Sequence, residues 1–384
     1  MTSARSAIFA DEHEAFRDTV RRFIAKEVTP SVEAWEEAGE FPSELFKRFA
    51  ALDLLGLKYP ESLGGTDAGK LYEAVLFEEL GRCGSGGVFA GIGAHVAIAT
   101  PPVFNFGSEA QRRRWLQPAI SGDLVMALAI TEPSGGSDIA QVESSARREG
   151  EHYLVNGSKT FITNGVRAGA VVALVRTRPE GGHHGLSILV IEKDTPGYSV
   201  SRKLNKLGWR ASDTAELTFQ DCRVPVENRL GPEHEGFYQA LANFEWERIW
   251  IAVGAVASAQ RSLELAIDYA ANRVQFGKRL AEMPVIRHKI AQMLLRIEQA
   301  RHLTYHALWL HVNRQPCAKE VAMAKIAATE ADVAVADEAL QIHGGYGYMM
   351  EYPVQRAWRD ARLGPIGAGT NEIMRDIIAR ELDL

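Results

Sequence analysis

Cysteine is scarce in this sequence: Cys83, Cys222 and Cys317 are the only three in 384 residues. Thiols so far apart form no disulfide framework and no metal-ligand spacing. Reduced thiols in a cytoplasmic protein, and no metal site, are therefore expected. An excess of positive charge is also missing, with 43 Lys and Arg against 49 Asp and Glu. With no dominant basic face, nucleic-acid binding is excluded as a reading, and Arg112-Arg113-Arg114 reads as a solvated helix face. No apolar run approaches the length of a membrane span, so no membrane span is expected. The opening "MTSARSAIFADEHEAFRDTV" lacks the apolar core and cleavage site of a signal peptide, and carries acids that a mitochondrial transit peptide avoids. Internal repeats and low-complexity tracts are absent as well. What remains is 46% hydrophobic and long enough for two or three domains.

Three textures divide the chain, at 1–122, 123–232 and 233–384. The first is helical: Phe16, Val20, Phe23, Ile24 and Val28 recur at spacings of three and four. A helix opens at Pro42 and closes at Gly56, "YEAVLFEELGR" forms another, and a glycine-rich stretch from Gly84 to Gly93 follows. The second is β: "AVVALVRT", "GLSILVIEK", "YSVSRKL" and "TAELTFQDCRV" read as short antiparallel strands, sandwich- or barrel-like. "HYLVNGSKTFIT" reads as two strands around an Asn156-Gly157 hairpin. The third returns to longer helices, at Gly236 to about Arg273, "VIRHKIAQMLLRIEQARHLTYHALWLHV", "AKEVAMAKIAATEADVAVADEALQIHGG" and "GTNEIMRDIIAREL". Four such helices suggest a bundle, so the fold class is α+β and multidomain: an N-terminal α-helical domain, a middle antiparallel β domain and a C-terminal four-helix bundle.

Most short motifs have a plain reading. "NGSKT" echoes a phosphate loop but has the wrong glycine spacing and lies among strands. His183-His184 has no Cys or acid at ligand spacing. "LAITEPSGGSD" is more informative: Pro133 ends a strand, Gly135-Gly136 permit close approach of a ligand, and Thr131, Ser134 and Ser137 supply hydroxyls. "QIHGGYGYMMEYPVQRAWRD" and "RVQFGKRL" each place a glycine turn beside basic or polar groups. The sharpest puzzle is "FEWERIWIA". Ile249 to Ala257 is apolar on every side of a helix, so it is buried, yet Glu247 stands at its entrance, where an unpaired carboxylate is costly. A buried salt bridge and a catalytic base both answer it.

"ITEPSGGSD", "NGSKTFITNG", "LGWRASDTAELTFQDCRVP", "ANRVQFGKRL", "QIHGGYGYMMEYPVQRAWRDAR" and "GTNEIMRDIIAR", in that order, resemble the acyl-CoA dehydrogenases over almost the whole chain. The resemblance implies FAD, a homotetramer built as a dimer of dimers, and oxidation of an acyl-CoA to its trans-2-enoyl thioester in β-oxidation. Electrons would leave through an electron-transfer flavoprotein. It assigns Leu128, Ile130, Thr131, Gly136, Ser137, Phe161, Ile162 and Thr163 to the isoalloxazine ring, with Ser137 also near the thioester. Arg273, Phe276, Gln341, Gly344 and Gly345 would hold the adenine and diphosphate of FAD in a neighbouring subunit, and Thr370 and Glu372 the cofactor of their own. Glu245 and Arg248 match positions near the CoA pantetheine and nucleotide.

One departure matters. Where medium- and short-chain relatives carry a glutamate base before "GT", this chain reads "PIGAGTNE", with Gly367 and Ala368. The subgroup resembling the isovaleryl- and long-chain-type enzymes places the base one turn before the buried helix, and there Glu247 stands. The backbone N–H of Ala368 would keep its role toward the thioester oxygen. The bulky aromatic often found before the base is replaced by Gly367, which opens space beside the acyl chain and implies a medium-to-long or branched substrate. Met283-Pro284 replaces a glutamine that many relatives place near the cofactor. The alternatives are an acyl-CoA oxidase or flavin monooxygenase of the same fold, and a non-catalytic acyl-CoA binder.

Overall fold

The computed structural model describes residues 8–384. α1 (Asp11–Glu27) buries Val20 and Ile24, and its opening acids Asp11, Glu12 and Glu14 favour the positive end of the helix. α2 (Val32–Ala38) ends at Gly39, whose φ of 72° suits glycine. α3 (Glu44–Ala50) is shorter than the helix expected up to Gly56: residues 51–55 form turns. Those turns bury the adjacent Leu54 and Leu55 together, which one face of a regular helix does poorly. α4 (Lys70–Gly81) is buried from Glu73 to Leu80.

α5 (Gly86–Phe106) corrects the expectation about apolar runs. Its 21 residues are long and apolar enough to cross a membrane by length and composition, but 89% of its apolar window is buried inside the fold, so it is a core helix. Glycines disguise it, because glycine disfavours helix and lowers the apparent apolar content. They are needed for close approach: a Cβ on Gly91 would lie 2.5 Å from Phe41, and one on Gly87 2.6 Å from the Ala211 amide. Ser85 caps the helix by accepting the Val88 N–H. Further on, His95 accepts the Met126 N–H at Nδ1 (3.1 Å) and donates from Nε2 to the Ala119 carbonyl (3.0 Å). The helical segment 109–120, α6, leads into the sheet.

The strands are β1 (Met126–Ala129), β2 (Ser145–Glu149), β3 (His152–Thr163), β4 (Ala170–Arg176), β5 (Leu186–Glu192), β6 (Tyr198–Lys203), β7 (Thr214–Pro225) and β8 (Arg229–Leu230). They form one sheet in the order β6-β7-β3-β2-β4-β5-β8, with β1 on β4. The sheet is antiparallel except where β4 pairs in parallel with β1 and, at one position, with β2, so it is not the purely antiparallel one expected. Alternate residues of β4 serve two cores: Val172 and Leu174 one, Val171, Ala173 and Val175 the other. A strand covered on both faces reads as a continuous apolar run. The expected Asn156-Gly157 hairpin is absent. β3 runs straight through it, and the hairpin instead turns at Gly150-Glu151, with Gly150 at φ 59°. Asn156-Gly157 is an irregularity in the β3–β7 pairing. Asn156 bonds Asp221 through both side-chain atoms, and Gly157 admits Ser144 against its backbone. A glycine inside a strand marks a bulge or a close approach as readily as a turn.

The remaining helices are α7 (Gly236–Asn272), α8 (Pro284–Val312), α9 (Ala318–His343), α10 (Pro353–Ala361) and α11 (Asn371–Arg380). A short hairpin, β9 (Val274–Gln275) and β10 (Lys278–Arg279), follows α7. The four expected helices are present; α10 is a fifth, nine residues long, that the sequence reading did not separate from the stretch around it, although Pro353 opens it and Val354, Ala357, Trp358 and Ala361 follow helical spacing. Its Asp360 accepts the Gly86 N–H (2.8 Å) and the Trp209 N–H (2.6 Å). One buried carboxylate thus ties the bundle to α5 and to the loop before β7.

Candidate active site

α7 builds the site by helical spacing. Asn243, Glu247 and Ile251 stand four residues apart, on one face. The run Ile249 to Ala257 is buried throughout. Glu247 is 6% exposed, and its Oε1 accepts from Asn243 Nδ2 at 2.9 Å. The same amide donates to the Ala97 carbonyl of α5 at 2.8 Å, so the carboxyl is fixed between the two helices. Burial pushes its pKa up to about 7, while the Asn243 hydrogen bond and the Arg248 charge pull the other way. Trp250 stacks on Phe89 (4.8 Å, 16°) and lies so close to Gly93 that no side chain fits there. The walls are aromatic and dry.

The loop before α11 lies against this turn. A Cβ on Gly367 would sit 3.8 Å from Ile251 Cδ1, and one on Gly369 3.9 Å from the Arg248 guanidinium. Ala368 has φ 52°, a region sparsely used by residues other than glycine. Its N–H donates to no group among the described residues. Lys325 of α9, fully buried, donates to the Gly369 carbonyl (2.8 Å) and to Asn371 Oδ1 (3.0 Å), which fixes that turn. Burial and the neighbouring Arg248 lower its pKa to about 8. Arg248 is itself lowered by burial, and its Nε is buried without a partner. The loop therefore has an orphaned amide on it and two desolvated cations beside it, a setting that favours developing negative charge.

Of the other candidate positions, two pairs of motifs come together. The Thr160 N–H donates to the Thr131 carbonyl at 2.9 Å, which sets Leu128, Ile130 and Thr131 at the end of β1 beside Phe161, Ile162 and Thr163. Gly136 and Ser137 are exposed in the following turn. Phe161 is 68% exposed with φ 60°. Lys159 of "NGSKT" is buried on Glu132 (2.8 Å) and two carbonyls, a structural role. The second pair joins the β9–β10 hairpin to the end of α9, with the Arg273 guanidinium 5.4 Å over the Tyr346 ring. Phe276 at the tip is 95% exposed, and Gln341, Gly344 and Gly345 are exposed beside it. No hydrogen bond joins the two pairs among the described residues. Thr370 caps α11 by accepting the Ile373 N–H, with Glu372 exposed on the same turn. Glu245 points away from Glu247, as a two-residue step of about 200° requires, and accepts from His311 and Cys317. Met283 and Pro284 begin α8. His183 and His184 lie against Phe237 and Tyr238.

Sequence reasoning missed Asn243 and Lys325. Asn243 carried a signal, an amide one helical turn before an acid. Lys325 carried a weaker one, a lone cation among the alanines of "AMAKIAA".

A helical domain, a β domain and a helical bundle that enclose a desolvated carboxyl beside a loop with a free amide are the architecture of this chain. The chain belongs to the acyl-CoA dehydrogenase family: the models of its N-terminal, middle and C-terminal domains match residues 10–123, 127–222 and 234–382. The short-chain specific mitochondrial acyl-CoA dehydrogenase of Rattus norvegicus is 39% identical over 99% of this chain and 92% of its own. The long-chain specific mitochondrial enzyme of Sus scrofa is 39% identical over 98% and 87%. Among solved structures, acyl-CoA dehydrogenase from Geobacillus kaustophilus has a TM-score of 0.95 at 41% identity, covering 98% of this chain and 99% of that one. Enzymes of the family dehydrogenate acyl-CoA thioesters and depend on FAD. The residues present fit that cofactor. Phe161 and Phe276 are aromatic rings left bare by the single chain, and a Cβ on Gly344 or Gly345 would meet nothing within 4 Å, which leaves the backbone open to a phosphate.

Proposed function

We propose that Glu247 is the base of a FAD-dependent α,β-dehydrogenation of an acyl-CoA thioester, with an electron-transfer flavoprotein as acceptor. The observation that carries this reading is the buried Glu247 carboxyl, held by Asn243 and standing on the turn that faces the Gly367–Gly369 loop. Bound FAD supplies the acceptor for the hydride that leaves Cβ. Leu128, Ile130, Thr131, Gly136, Ser137, Phe161, Ile162 and Thr163 hold the flavin ring. Arg273, Phe276, Gln341, Gly344 and Gly345 reach the cofactor of a second subunit in a homotetramer, and Thr370 and Glu372 that of their own. Ser137 lies near the thioester, and Arg248 near the pantetheine and nucleotide of CoA.

The chain's own groups do the proton chemistry. A carboxylate is an indifferent base in water; an apolar acyl chain entering beside Ile251 and Gly367 excludes water from Glu247 and raises its proton affinity further. The Ala368 N–H, with Arg248 and Lys325 behind it, stabilises the charge that grows on the thioester oxygen as the α-proton moves to Glu247. Asn243 keeps the carboxyl aimed while it gains the proton.

The test is Glu247→Gln, read by anaerobic stopped-flow bleaching of the flavin. FAD content and acyl-CoA binding should persist, and reduction should fall by more than the roughly 10²–10⁴-fold typical of losing a general base. Near wild-type reduction in this variant, with loss in Glu245→Gln, puts the base on the other face of α7.

The same loop supports a substrate with a branched or medium-to-long chain. A Cβ on Gly367 would meet only Leu363 O at 3.7 Å and Ile251 at 3.8 Å, so the space left by the missing aromatic stays open. A panel of straight, branched and dicarboxylic thioesters checks this. One missing side chain is worth about 1–3 kcal/mol of selectivity, and a tenfold preference for butyryl-CoA in kcat/KM refutes it. Oxygen uptake without added flavoprotein separates an oxidase from a dehydrogenase. We place the enzyme in the cytoplasm, a reading supported by three buried, unpaired thiols.

A further inference from the structure

On the side of α7 opposite Glu247, three donors from three elements converge: Glu245 of α7, His311 in the last turn of α8 and Cys317 at the start of α9. Their spacing is specific. His311 Nδ1 lies 3.3 Å from Glu245 Oε2, Cys317 Sγ lies 3.6 Å from the same oxygen, and Sγ and Nδ1 are 4.0 Å apart. A tetrahedral zinc site with bonds of about 2.0 Å to nitrogen and oxygen and 2.3 Å to sulfur requires donor–donor edges of about 3.3–3.6 Å. Two of the three edges already match, and the third needs a closure of about half an ångström. We propose that Glu245, His311 and Cys317 form a divalent-metal site of the zinc class, with the fourth position open toward solvent on the Glu245 side.

The donor set selects the ion. One thiolate, one imidazole and one carboxylate suit Zn2+ or Co2+ and disfavour Mg2+ and Ca2+, which take oxygen ligands at larger coordination number. The charges also balance: carboxylate and thiolate together offset the dication. Binding replaces the proton that the thiol donates to Glu245, and that proton leaves to solvent. It also displaces the proton that His311 Nδ1 donates there, which then resides on Nε2. The Lys70 amine lies 2.6 Å from Nε2, so an outer group holds the far side of the ring, as at zinc histidines. Access is adequate, since the Glu245 side chain is 39% exposed while Cys317 is buried. Trp246 stacks on the His311 ring at 5.6 Å, so an occupied site stiffens the start of the helix that carries Glu247.

The experiment uses the full-length holoenzyme, stripped with chelator at mildly alkaline pH. Zn2+ is titrated by calorimetry, and Co2+ by the visible bands that lie to the red of the flavin. One metal per chain is expected, with the intensity of tetrahedral cobalt and a thiolate charge-transfer band. Cys317→Ser and His311→Ala should each weaken binding by at least about 100-fold, beyond what loss of an outer partner costs. Both should keep their FAD content and unfolding midpoint. Glu245→Gln, at a half-exposed position, guards against misfolding of the other two and should also weaken binding. Absence of stoichiometric binding to the wild type, or unchanged affinity in Cys317→Ser and Glu245→Gln, overturns the site.

Discussion

A carboxyl with a pKa near 7 is an unusual thing to find in a protein core, and at Glu247 it follows from position alone. Among the described residues only Asn243 bonds it, and burial outweighs that bond and the Arg248 charge. Because the folded pKa is raised, the free enzyme gains its ionised base as pH rises. kcat/KM should therefore climb with pH to half its plateau near 7, and the limb should vanish in any variant whose base is elsewhere. The loop offers a second check. The resemblance matches Ala368 to the base of medium-chain relatives, so adding Ala368→Glu to Glu247→Gln tests whether a carboxylate there serves the same cleft. Part of the flavin reduction should return with it; no return in the double variant means that the loop and α7 do not face one substrate. The sequence exposed Glu247 itself, through the conflict between an acid and an all-apolar helix. Its fixed orientation was not exposed, because that depends on an Ala97 carbonyl nearly 150 residues away in sequence.

At the level of elements, glycines fit both α4 and α5 against α7. Gly81 and Gly254 face each other so closely that a Cβ on Gly81 would lie 2.7 Å from the Gly254 carbonyl. Phe89, which stacks on Trp250, leaves no room for a Cβ on Gly254. Gly254→Ala should cost about 1–3 kcal/mol by overpacking, measured by urea unfolding. It should also tilt Trp250 and lower the turnover rate; a stable, fully active variant refutes the tight fit. His95 sets the joint between α5 and β1, where burial lowers its pKa to about 4. Since the folded value lies below the unfolded one, its contribution to stability is present above about 6.5 and is lost as pH falls toward 4. The difference is at most on the order of 3 kcal/mol. In His95→Phe the urea midpoint should lose that part of its pH slope between 6.5 and 4; an unchanged slope means His95 is charged in the fold. Helix periods made most of these elements legible. α5 was hidden by its glycines, β3 by an Asn-Gly pair that makes a bulge as easily as a turn, and α10 by its shortness, nine residues.

For the whole molecule, the bare face is the informative feature. Phe276, Tyr348 and Met350 are large side chains left open by the single chain, clustered at the β9–β10 hairpin and the end of α9. If this face holds the cofactor of a second subunit, FAD and assembly are one equilibrium. Phe276→Asp should lower both the FAD retained on gel filtration and the mass found by analytical ultracentrifugation. Loss of one without the other separates the two roles. Overall likeness does not choose a chain length, since the short-chain and long-chain relatives are equally identical to this chain; the Gly367-Ala368 pair is the local feature that bears on it.

By itself the sequence determined the order of helical, β and helical parts, the strand and helix periods, the family, and the acid that has no place in an apolar helix. These are properties of neighbours along the chain, and period and local chemistry are written there. Tertiary structure alone decided what each polar group meets. Asn243 and Ala97 fix Glu247, Lys325 holds the Gly369 turn, Asp360 joins three parts of the fold, and Glu245, His311 and Cys317 converge on one point. Such pairings depend on how distant elements pack, because a charge or amide is stable in a core only when folding brings its partner to it.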